Sequence, residues 1–242
     1  GGLYDFPPLS MKDLKPDVLL LDVEMPRLDG ISFLKNIMRQ KPMPVIIFSS
    51  YVEEGSENAF RAFEYGAVDI IEKPKLKTTN EISKYKFRLR RALKTASIAN
   101  ISNISNTNRT RSNLAVSENR AAKKTFIDEK KPQSIIAIGA STGGTEAVRW
   151  ILQDIPEDFP PILITQHMPV GFTNSFAKRL DKLSKISVKE AESHETLRNG
   201  HAYIARGDRH LVLRDKKDSY QLILDDSPSV NRHKPSVDVL FN

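Results

Sequence analysis

The chain has 242 residues, enough for one large domain or two modest ones with a hydrophobic core. Its apolar runs fall far short of the roughly 20 residues that a membrane-spanning helix needs. The sequence as given does not open with the basic stretch and apolar run expected of a signal peptide. The lack of cysteine excludes disulfides, thiol nucleophiles and cysteine metal sites. The formal net charge of +7 would indicate a nucleic-acid partner only if the positive excess were gathered on one folded surface.

Both ends of the chain suggest a piece of a longer protein. It opens on Gly1 and Gly2 rather than on Met, and it stops at Asn242 directly after an apolar run. We therefore expect sequence to be missing at both ends.

The first part of the chain alternates short apolar runs with helical patterns. Three strands are predicted, at residues 17–21, 44–48 and 68–71. Asp29 is placed to cap a helix that begins near Gly30, Ser56 to cap the next, and Gly66 lies where a left-handed C-terminal cap would end that second helix. Strands that alternate with helices predict a parallel sheet, so the fold class is α/β.

A basic amphipathic helix follows and leads into a linker. Residues 81–96 carry apolar side chains at helical spacing, with Lys and Arg between them. Residues 97–117 are rich in Ser and Asn and contain no acidic residue, and a charged stretch extends this segment. We predict a first domain, a flexible linker and a second domain, at residues 1–96, 97–133 and 134–242.

The second domain opens with the same pattern and then changes. Strand, helix and strand are predicted in turn, at residues 134–138, 145–153 and 162–166. Residues 210–214 and 220–224 alternate around a polar turn, which predicts an antiparallel hairpin, and a capped helix begins at Ser236. The prediction for the whole chain is two doubly wound parallel-sheet domains, the second carrying an antiparallel hairpin.

Polar side chains end the three predicted strands of the first domain, at Asp22, Ser49 and Lys73. The carboxyl ends of parallel strands form the edge at which ligands bind. A carboxylate there can accept a phosphoryl group, a hydroxyl can bond the new phosphate, and an ammonium can pair with it. Taken alone, Asp22 could equally cap the turn that follows it.

The sequence around these residues resembles the receiver domain of two-component response regulators. The resemblance is carried by residues 19–30, 48–50 and 66–74. It implies a flavodoxin-like fold, phosphorylation of Asp22 by a histidine kinase, and rearrangement of Ser49 and Lys73 around the phosphate.

The receiver resemblance also implies Mg²⁺, with Asp22 and the backbone carbonyl of Glu24 among its ligands. In that family the remaining protein ligands come from two adjacent acids that end the first strand, and this sequence contains no such strand. We therefore expect this chain by itself to be phosphorylated poorly or not at all.

A Gly-rich turn joins the first strand and helix of the second domain, in the order Gly139-Ala140-Ser141-Thr142-Gly143. One interpretation is a phosphate cradle, although the P-loop spacing and lysine are lacking. The other is a nucleophile elbow, G-x-S-x-G, which presents the Ser141 hydroxyl beside free backbone amides.

A serine nucleophile needs a base, and His167 is the candidate. It follows the next predicted strand, and parallel strands about 4.8 Å apart would bring it to Ser141. Taken alone, His167 could merely bond a backbone carbonyl. Three other histidines are predicted to be surface residues, namely His194, His201 and His210, while His233 is less clear.

Residues 139–147 and 165–173 closely resemble the chemotaxis protein-glutamate methylesterase family (CheB), as do residues 200–205 and 230–238. The resemblance covers nearly the whole chain outside the linker. It implies that Ser141 is the nucleophile and His167 the general base of a Ser-His-Asp mechanism that needs no cofactor. Enzymes of this family use the mechanism to hydrolyse glutamate methyl esters on methyl-accepting chemotaxis receptors, and some members also deamidate receptor glutamines.

Further expectations follow from this resemblance. A chemotaxis histidine kinase would be the phosphodonor, and phosphate on Asp22 would relieve inhibition of the Ser141/His167 site. The protein would be cytoplasmic and recruited to receptor arrays, with no nucleic-acid partner and no insertion into the membrane. Thr142, Arg232 and His233 are candidate substrate contacts, although a solvated loop explains the last two equally well.

The orienting aspartate of the family lies in a Gly-Met-Gly-Asn-Asp-Gly motif that does not occur before Asn242. Five later aspartates lack that context, namely Asp181, Asp208, Asp225, Asp226 and Asp238. We therefore expect this piece of chain to be inactive by itself. The alternative function is a response regulator with a DNA-binding or a non-catalytic, receptor-binding output.

Overall fold

A computed structural model describes residues 15–25, 28–49, 61–63, 65–74, 78–99, 131–168 and 170–242. The chain divides into two compact units, residues 1–117 and 118–242. The predicted domain and linker boundaries stay a prediction, because most of the linker lies outside the described residues. Within the described part of the chain, no helix combines the length and the apolar character needed to cross a membrane.

The first unit is built around a small parallel sheet. Its elements are β1 (Leu19–Asp22), β2 (Glu24–Met25), β3 (Leu28–Asp29), α1 (Gly30–Gln40), β4 (Val45–Ser49), β5 (Asp69–Glu72) and α2 (Thr79–Ser97). The sheet order is β1-β4-β5, and both pairings are parallel. The three predicted strands are thus confirmed with small shifts at their ends, and β2 and β3 add a short antiparallel pair.

Local signals start and stop the helices of this unit. The Asp29 carboxylate accepts a hydrogen bond from the Ile31 amide at 3.1 Å, which confirms it as the cap of α1. Gly66 has φ +97°, the left-handed conformation that favours glycine, and its amide donates to the Phe63 carbonyl at 3.0 Å. The predicted cap at Ser56 lies outside the described residues.

One buried apolar cluster of the first unit lies between the sheet and α2. Its buried members come from β4, from β5 with the residue before it, and from one face of α2, namely Ile46, Val68, Ile71, Ala92 and Ala96. Thr78 and Glu81 form a capping box at the start of α2, with bonds of 3.3 and 2.9 Å. The predicted amphipathic helix is therefore confirmed, and its apolar face packs on the sheet.

The second unit contains a larger parallel sheet and a separate hairpin. Its elements are β6 (Ile136–Ala140), α3 (Gly144–Asp154), β7 (Ile162–Gln166), α4 (Phe172–Leu183), β8 (Ser187–Glu190), β9 (His201–Ile204), β10 (His210–Asp215), β11 (Tyr220–Asp225) and α5 (Val237–Phe241). The sheet order is β6-β7-β9-β8, all parallel, and β10 pairs with β11 antiparallel. The predicted fold class is confirmed, hairpin included.

The hairpin covers one face of this sheet. Leu211 and Leu222 of the hairpin are fully buried and cluster with Leu163 and Tyr203 of the sheet. Helices α3 and α4 contact each other, and right-handed crossovers place both on the opposite face. The residues that follow β6 and β7 emerge together at the carboxyl end of the sheet.

His210 was predicted to be a surface residue, and that prediction is wrong. Its side chain is 0% exposed, at the start of β10. Nε2 lies 3.1 Å from the Pro228 carbonyl oxygen, and the Ser236 amide donates to Nδ1 at 3.1 Å. Because a carbonyl only accepts and an amide only donates, the ring is neutral with its proton on Nε2. Two hydrogen bonds make burial of this imidazole tolerable.

Candidate functional site

In the first unit, the three predicted residues meet at the carboxyl edge of the sheet. The Lys73 ammonium lies 2.8 Å from a carboxylate oxygen of Asp22, and both side chains keep about a third of their exposure, at 29% and 32%. Ser49 ends the neighbouring strand, is 0% exposed, and accepts a hydrogen bond from the Lys73 amide at its carbonyl at 2.8 Å. The edge therefore combines a reachable carboxylate with a paired ammonium and a buried hydroxyl.

The same edge carries oxygen donors of the kind that Mg²⁺ prefers. Mg²⁺ takes about six oxygens in octahedral array, several of them from water, and needs only one or two carboxylates. Asp22 offers a carboxylate, and Glu24 lies two residues further along the backbone. No group of three or more metal-ligating side chains forms among the described residues. The Asp22 carboxylate and the Glu24 backbone carbonyl are oxygen donors of the type that Mg²⁺ binds, and water would have to complete its coordination.

In the second unit, the Gly-rich turn places Ser141 directly after β6. Gly143 has φ +79° and Gly144 opens α3, so the chain reverses within three residues of the serine. The Ser141 carbonyl accepts two hydrogen bonds, from the Gly144 amide at 2.7 Å and from the Gln166 side-chain amide at 3.0 Å. The turn is therefore tied both to its own helix and to the neighbouring strand.

His167 stands beside this turn because β6 and β7 are parallel neighbours. Ala140 pairs with Gln166 in the register, and the His167 amide donates to the Ala140 carbonyl at 3.1 Å. The His167 Nδ1 atom lies 3.3 Å from the Ser141 hydroxyl oxygen. For Nδ1 to accept the serine proton, the ring proton must be on Nε2, which is buried. The predicted serine and histidine are thus in hydrogen-bond reach of each other.

A second imidazole lies on the first. The rings of His167 and His233 are stacked, with centroids 3.9 Å apart and an interplanar angle of 12°. His233 is half-buried, whereas the neighbouring Arg232 is exposed. His233 is therefore packed on His167, while Arg232 is exposed beside it. The third candidate contact, Thr142, is half-buried in the turn.

The five aspartates considered above as possible orienting groups all bond other groups. Asp181 accepts from the Val188 amide, Asp208 pairs with two arginines, and Asp238 accepts from the Asn231 side chain, at distances of 2.7 to 3.0 Å. A hydrogen bond from Ser227 lowers the pKa of Asp225, and one from Lys234 lowers that of Asp226. Their roles lie in fastening loops.

Sequence reasoning missed two residues that support this site. Gln166 stood in a quoted motif without a role, yet its side-chain amide holds the serine turn. Polar residues that end an otherwise apolar strand were the available signal. His210 was assigned to the surface, and its burial depends on residues 18 and 26 positions further along the chain, which no local pattern reveals.

Comparisons with known proteins cover both units. The family model for CheB methylesterase matches residues 136–242, and that for the response regulator receiver domain matches residues 9–83. The protein-glutamate methylesterase/protein-glutamine glutaminase of Photorhabdus laumondii is 49% identical over 238 residues, covering 97% of this chain and 65% of its own. The protein of the same name from Salmonella typhimurium is 48% identical over 241 residues, with the same two coverages.

A further comparison is with a solved structure. The Thermotoga maritima CheB methylesterase catalytic domain is 45% identical and covers 44% of this chain and 57% of its own, with a TM-score of 0.43. The chain spans 65% of the length of the curated relatives that it matches.

Proposed function

We propose that the protein hydrolyses glutamate methyl esters and deamidates glutamines on methyl-accepting chemoreceptors. The premise is that this chain belongs to the CheB methylesterase family and carries a response-regulator receiver domain. The names of its close relatives support both reactions. The observation that carries the proposal is the contact between the Ser141 hydroxyl and His167 Nδ1, at 3.3 Å.

The reaction begins with proton transfer from Ser141 to His167 as the serine oxygen attacks the ester carbonyl. Negative charge then builds on the carbonyl oxygen. The amides at the start of α3, together with the positive end of its dipole, lie beside the serine and suit that charge. His167 next gives its proton to the departing methoxide, which leaves as methanol, and a water molecule releases the glutamate by the reverse sequence.

Deamidation suits the same residues. A glutamine side chain passes through the same tetrahedral intermediate, and the imidazolium gives its proton to the departing amine, which leaves as ammonia. Both substrates yield one acyl-enzyme, so the site needs no second set of groups. Thr142 and Arg232 are the proposed substrate contacts, because Thr142 lies in the serine turn and Arg232 is exposed beside His233.

We further propose that the first unit controls the second. A chemotaxis histidine kinase would phosphorylate Asp22, and the new charge would draw Lys73 and Ser49 toward the phosphate. Mg²⁺ held by Asp22 and the Glu24 carbonyl would supply neutralisation of the phosphoryl oxygens. Control of this kind requires that phosphate stabilise the active state more than the resting one. The protein would act in the cytoplasm at receptor arrays, where its substrates lie.

The first test is labelling of Ser141 by a small fluorophosphonate, which reports an activated serine without requiring a receptor. We expect labelling of the protein expressed from its complete reading frame, none after Ser141→Ala, and a loss of about 10²- to 10⁴-fold after His167→Gln, because general-base catalysis contributes that much. Ser184→Ala, at another buried serine, is the control.

Methanol release from methylated receptors, measured on the protein expressed from its complete reading frame, completes this test. It should depend on Ser141 and rise when Asp22 is phosphorylated. Receptor binding without labelling or methanol release would instead support the non-catalytic alternative.

A further inference from the structure

We infer that His233 is a positioning residue for the general base, its ring packed on His167 so that Nδ1 keeps facing the Ser141 hydroxyl. The inference rests on the proposed roles of Ser141 and His167. The sequence suggested instead that His233 contacts the substrate. In the structure, one face of the His233 ring packs on His167 of the same chain.

The stacking geometry carries the first step. With ring centroids 3.9 Å apart and planes within 12° of parallel, the two imidazoles are in van der Waals contact over their faces. Rotation of the His167 ring out of its plane would drive its edge into His233. Because catalysis requires Nδ1 to stay within reach of the serine proton, a neighbour that blocks this rotation favours the reactive geometry.

The second step concerns how His233 itself is held. Residues 230–233 form a tight turn in which the Val230 amide donates to the His233 carbonyl at 3.1 Å and the His233 amide donates back at 2.9 Å. Both central residues are left-handed, with φ +50° at Asn231 and +67° at Arg232. Arginine is uncommon in that conformation, so the surroundings must maintain the turn.

Side-chain hydrogen bonds on both sides of His233 hold the turn in this conformation. The Asn231 amide donates to Asp238 at 2.7 Å, joining the turn to α5. Lys234 donates to the Asp226 carboxylate at 2.6 Å and to its backbone carbonyl at 2.8 Å, joining the turn to the end of β11. The turn is thus fastened on each side of His233.

The buried His210 holds both ends of the segment that contains this turn. Its Nε2–H donates to the Pro228 carbonyl before the turn, and its Nδ1 accepts from the Ser236 amide after it, both at 3.1 Å. One fully buried side chain on β10 therefore ties the two ends of the segment that presents His233. His210 thus fixes both ends of the segment that carries His233, His233 packs on His167, and His167 lies 3.3 Å from the Ser141 hydroxyl oxygen.

The test compares variants that keep or remove a flat ring at position 233. His233→Phe retains a face for His167, whereas His233→Leu keeps the bulk but not the plane. Because a stacked pair contributes 0.5–1.5 kcal/mol, we expect His233→Leu to lose about two- to tenfold in the rate of Ser141 labelling by the fluorophosphonate. His233→Phe should stay within about twofold of the unsubstituted chain.

Two further readouts separate positioning from other roles. The Cε1 proton of His167 feels the ring current of a stacked neighbour, so its NMR shift should move in His233→Leu and less in His233→Phe. In methanol release, a positioning role lowers kcat with KM unchanged, whereas a substrate contact raises KM. His194→Asn changes an exposed histidine of the same unit and should alter none of these measurements.

Several outcomes would overturn the inference. Wild-type labelling by His233→Leu, equal losses in the Phe and Leu variants, or a rise in KM alone would each remove the positioning role. If His233→Leu fails to fold, Asp238→Ala loosens the turn from an exposed position and should also slow labelling. If Ser141 is not labelled at all in the protein expressed from its complete reading frame, the proposed function is refuted, and this inference with it, whereas labelling that is insensitive to the variants refutes the inference alone.

Discussion

Gly144 shows how closely the serine turn is packed at the scale of single residues. A Cβ added there would lie 2.5 Å from the Gln166 side-chain oxygen and 2.6 Å from the Ala140 Cβ. Gly143, one residue earlier, has open space around an added Cβ but a φ of +79°. One glycine is therefore required by a close approach, and its neighbour by backbone conformation.

This contrast gives a residue-scale prediction. Gly144→Ala should lower the free energy of unfolding by about 1–3 kcal/mol, as overpacking does, and should slow Ser141 labelling because the turn must move. Gly143→Asn is the matched control, since asparagine tolerates a left-handed backbone and meets no atom there. Urea unfolding and fluorophosphonate labelling measure the two effects, and an unimpaired Gly144→Ala variant would contradict the packing argument.

At the scale of elements, the cap of α1 joins a sequence signal to a pH dependence. Asp29 accepts from the Ser32 hydroxyl at 2.6 Å and from the Ile31 amide at 3.1 Å. The hydrogen bond from Ser32, followed by weaker backbone contributions, holds the pKa of Asp29 below its ordinary value of 3.8. The charged form is therefore favoured by folding, and the cap is strongest when Asp29 is ionised.

We expect Asp29→Ala to cost about 1 kcal/mol at neutral pH, as loss of a cap does. A lowered folded pKa means that the stabilisation is complete above the unfolded pKa and is lost as the pH falls below about 4. Unfolding titrations at several pH values should thus show the gap between the unsubstituted chain and Asp29→Ala closing in acid. Asp29→Asn keeps a cap without a titrating group, so its gap to Asp29→Ala should be independent of pH.

The elements also show which patterns were readable. Strands β4, β6 and β7 are mainly apolar runs, and β5 is centred on two isoleucines. Each was predicted within about two residues, the usual uncertainty of such boundaries. Strands β8 and β9 were not predicted, because β8 is short and ends in charged residues at the edge of the sheet. Helix α4 was also missed, although its buried residues Phe172, Phe176 and Leu180 repeat at helical spacing.

At the scale of the whole molecule, each unit has a hydrophobic core of its own. Ile46 belongs to the core of the first unit and Leu211 to that of the second, and both are 0% exposed. We expect Ile46→Ala and Leu211→Ala each to cost about 2–5 kcal/mol. In calorimetry each substitution should lower the transition of its own unit and leave the other in place. A single transition shifted by either substitution would contradict this.

The sequence by itself determined the chemistry and most of its placement. Asp22, Ser49, Lys73, Ser141 and His167 all follow predicted parallel strands, and that topology requires the ends of such strands to share one edge. The structure accordingly places Lys73 on Asp22 at 2.8 Å and His167 on Ser141 at 3.3 Å. Periodicity and turn residues are local properties, so they can be read without coordinates.

Only the tertiary structure decided the surroundings of the base. The stack of His233 on His167 joins residues 66 positions apart, and His210 is buried by contacts with the segment from Pro228 to Ser236. Such contacts depend on how the hairpin and α5 close over the sheet, and a lone polar residue carries no periodic signal of its partner. Tertiary packing therefore buries a histidine that was predicted at the surface, and this histidine anchors the loop that carries His233.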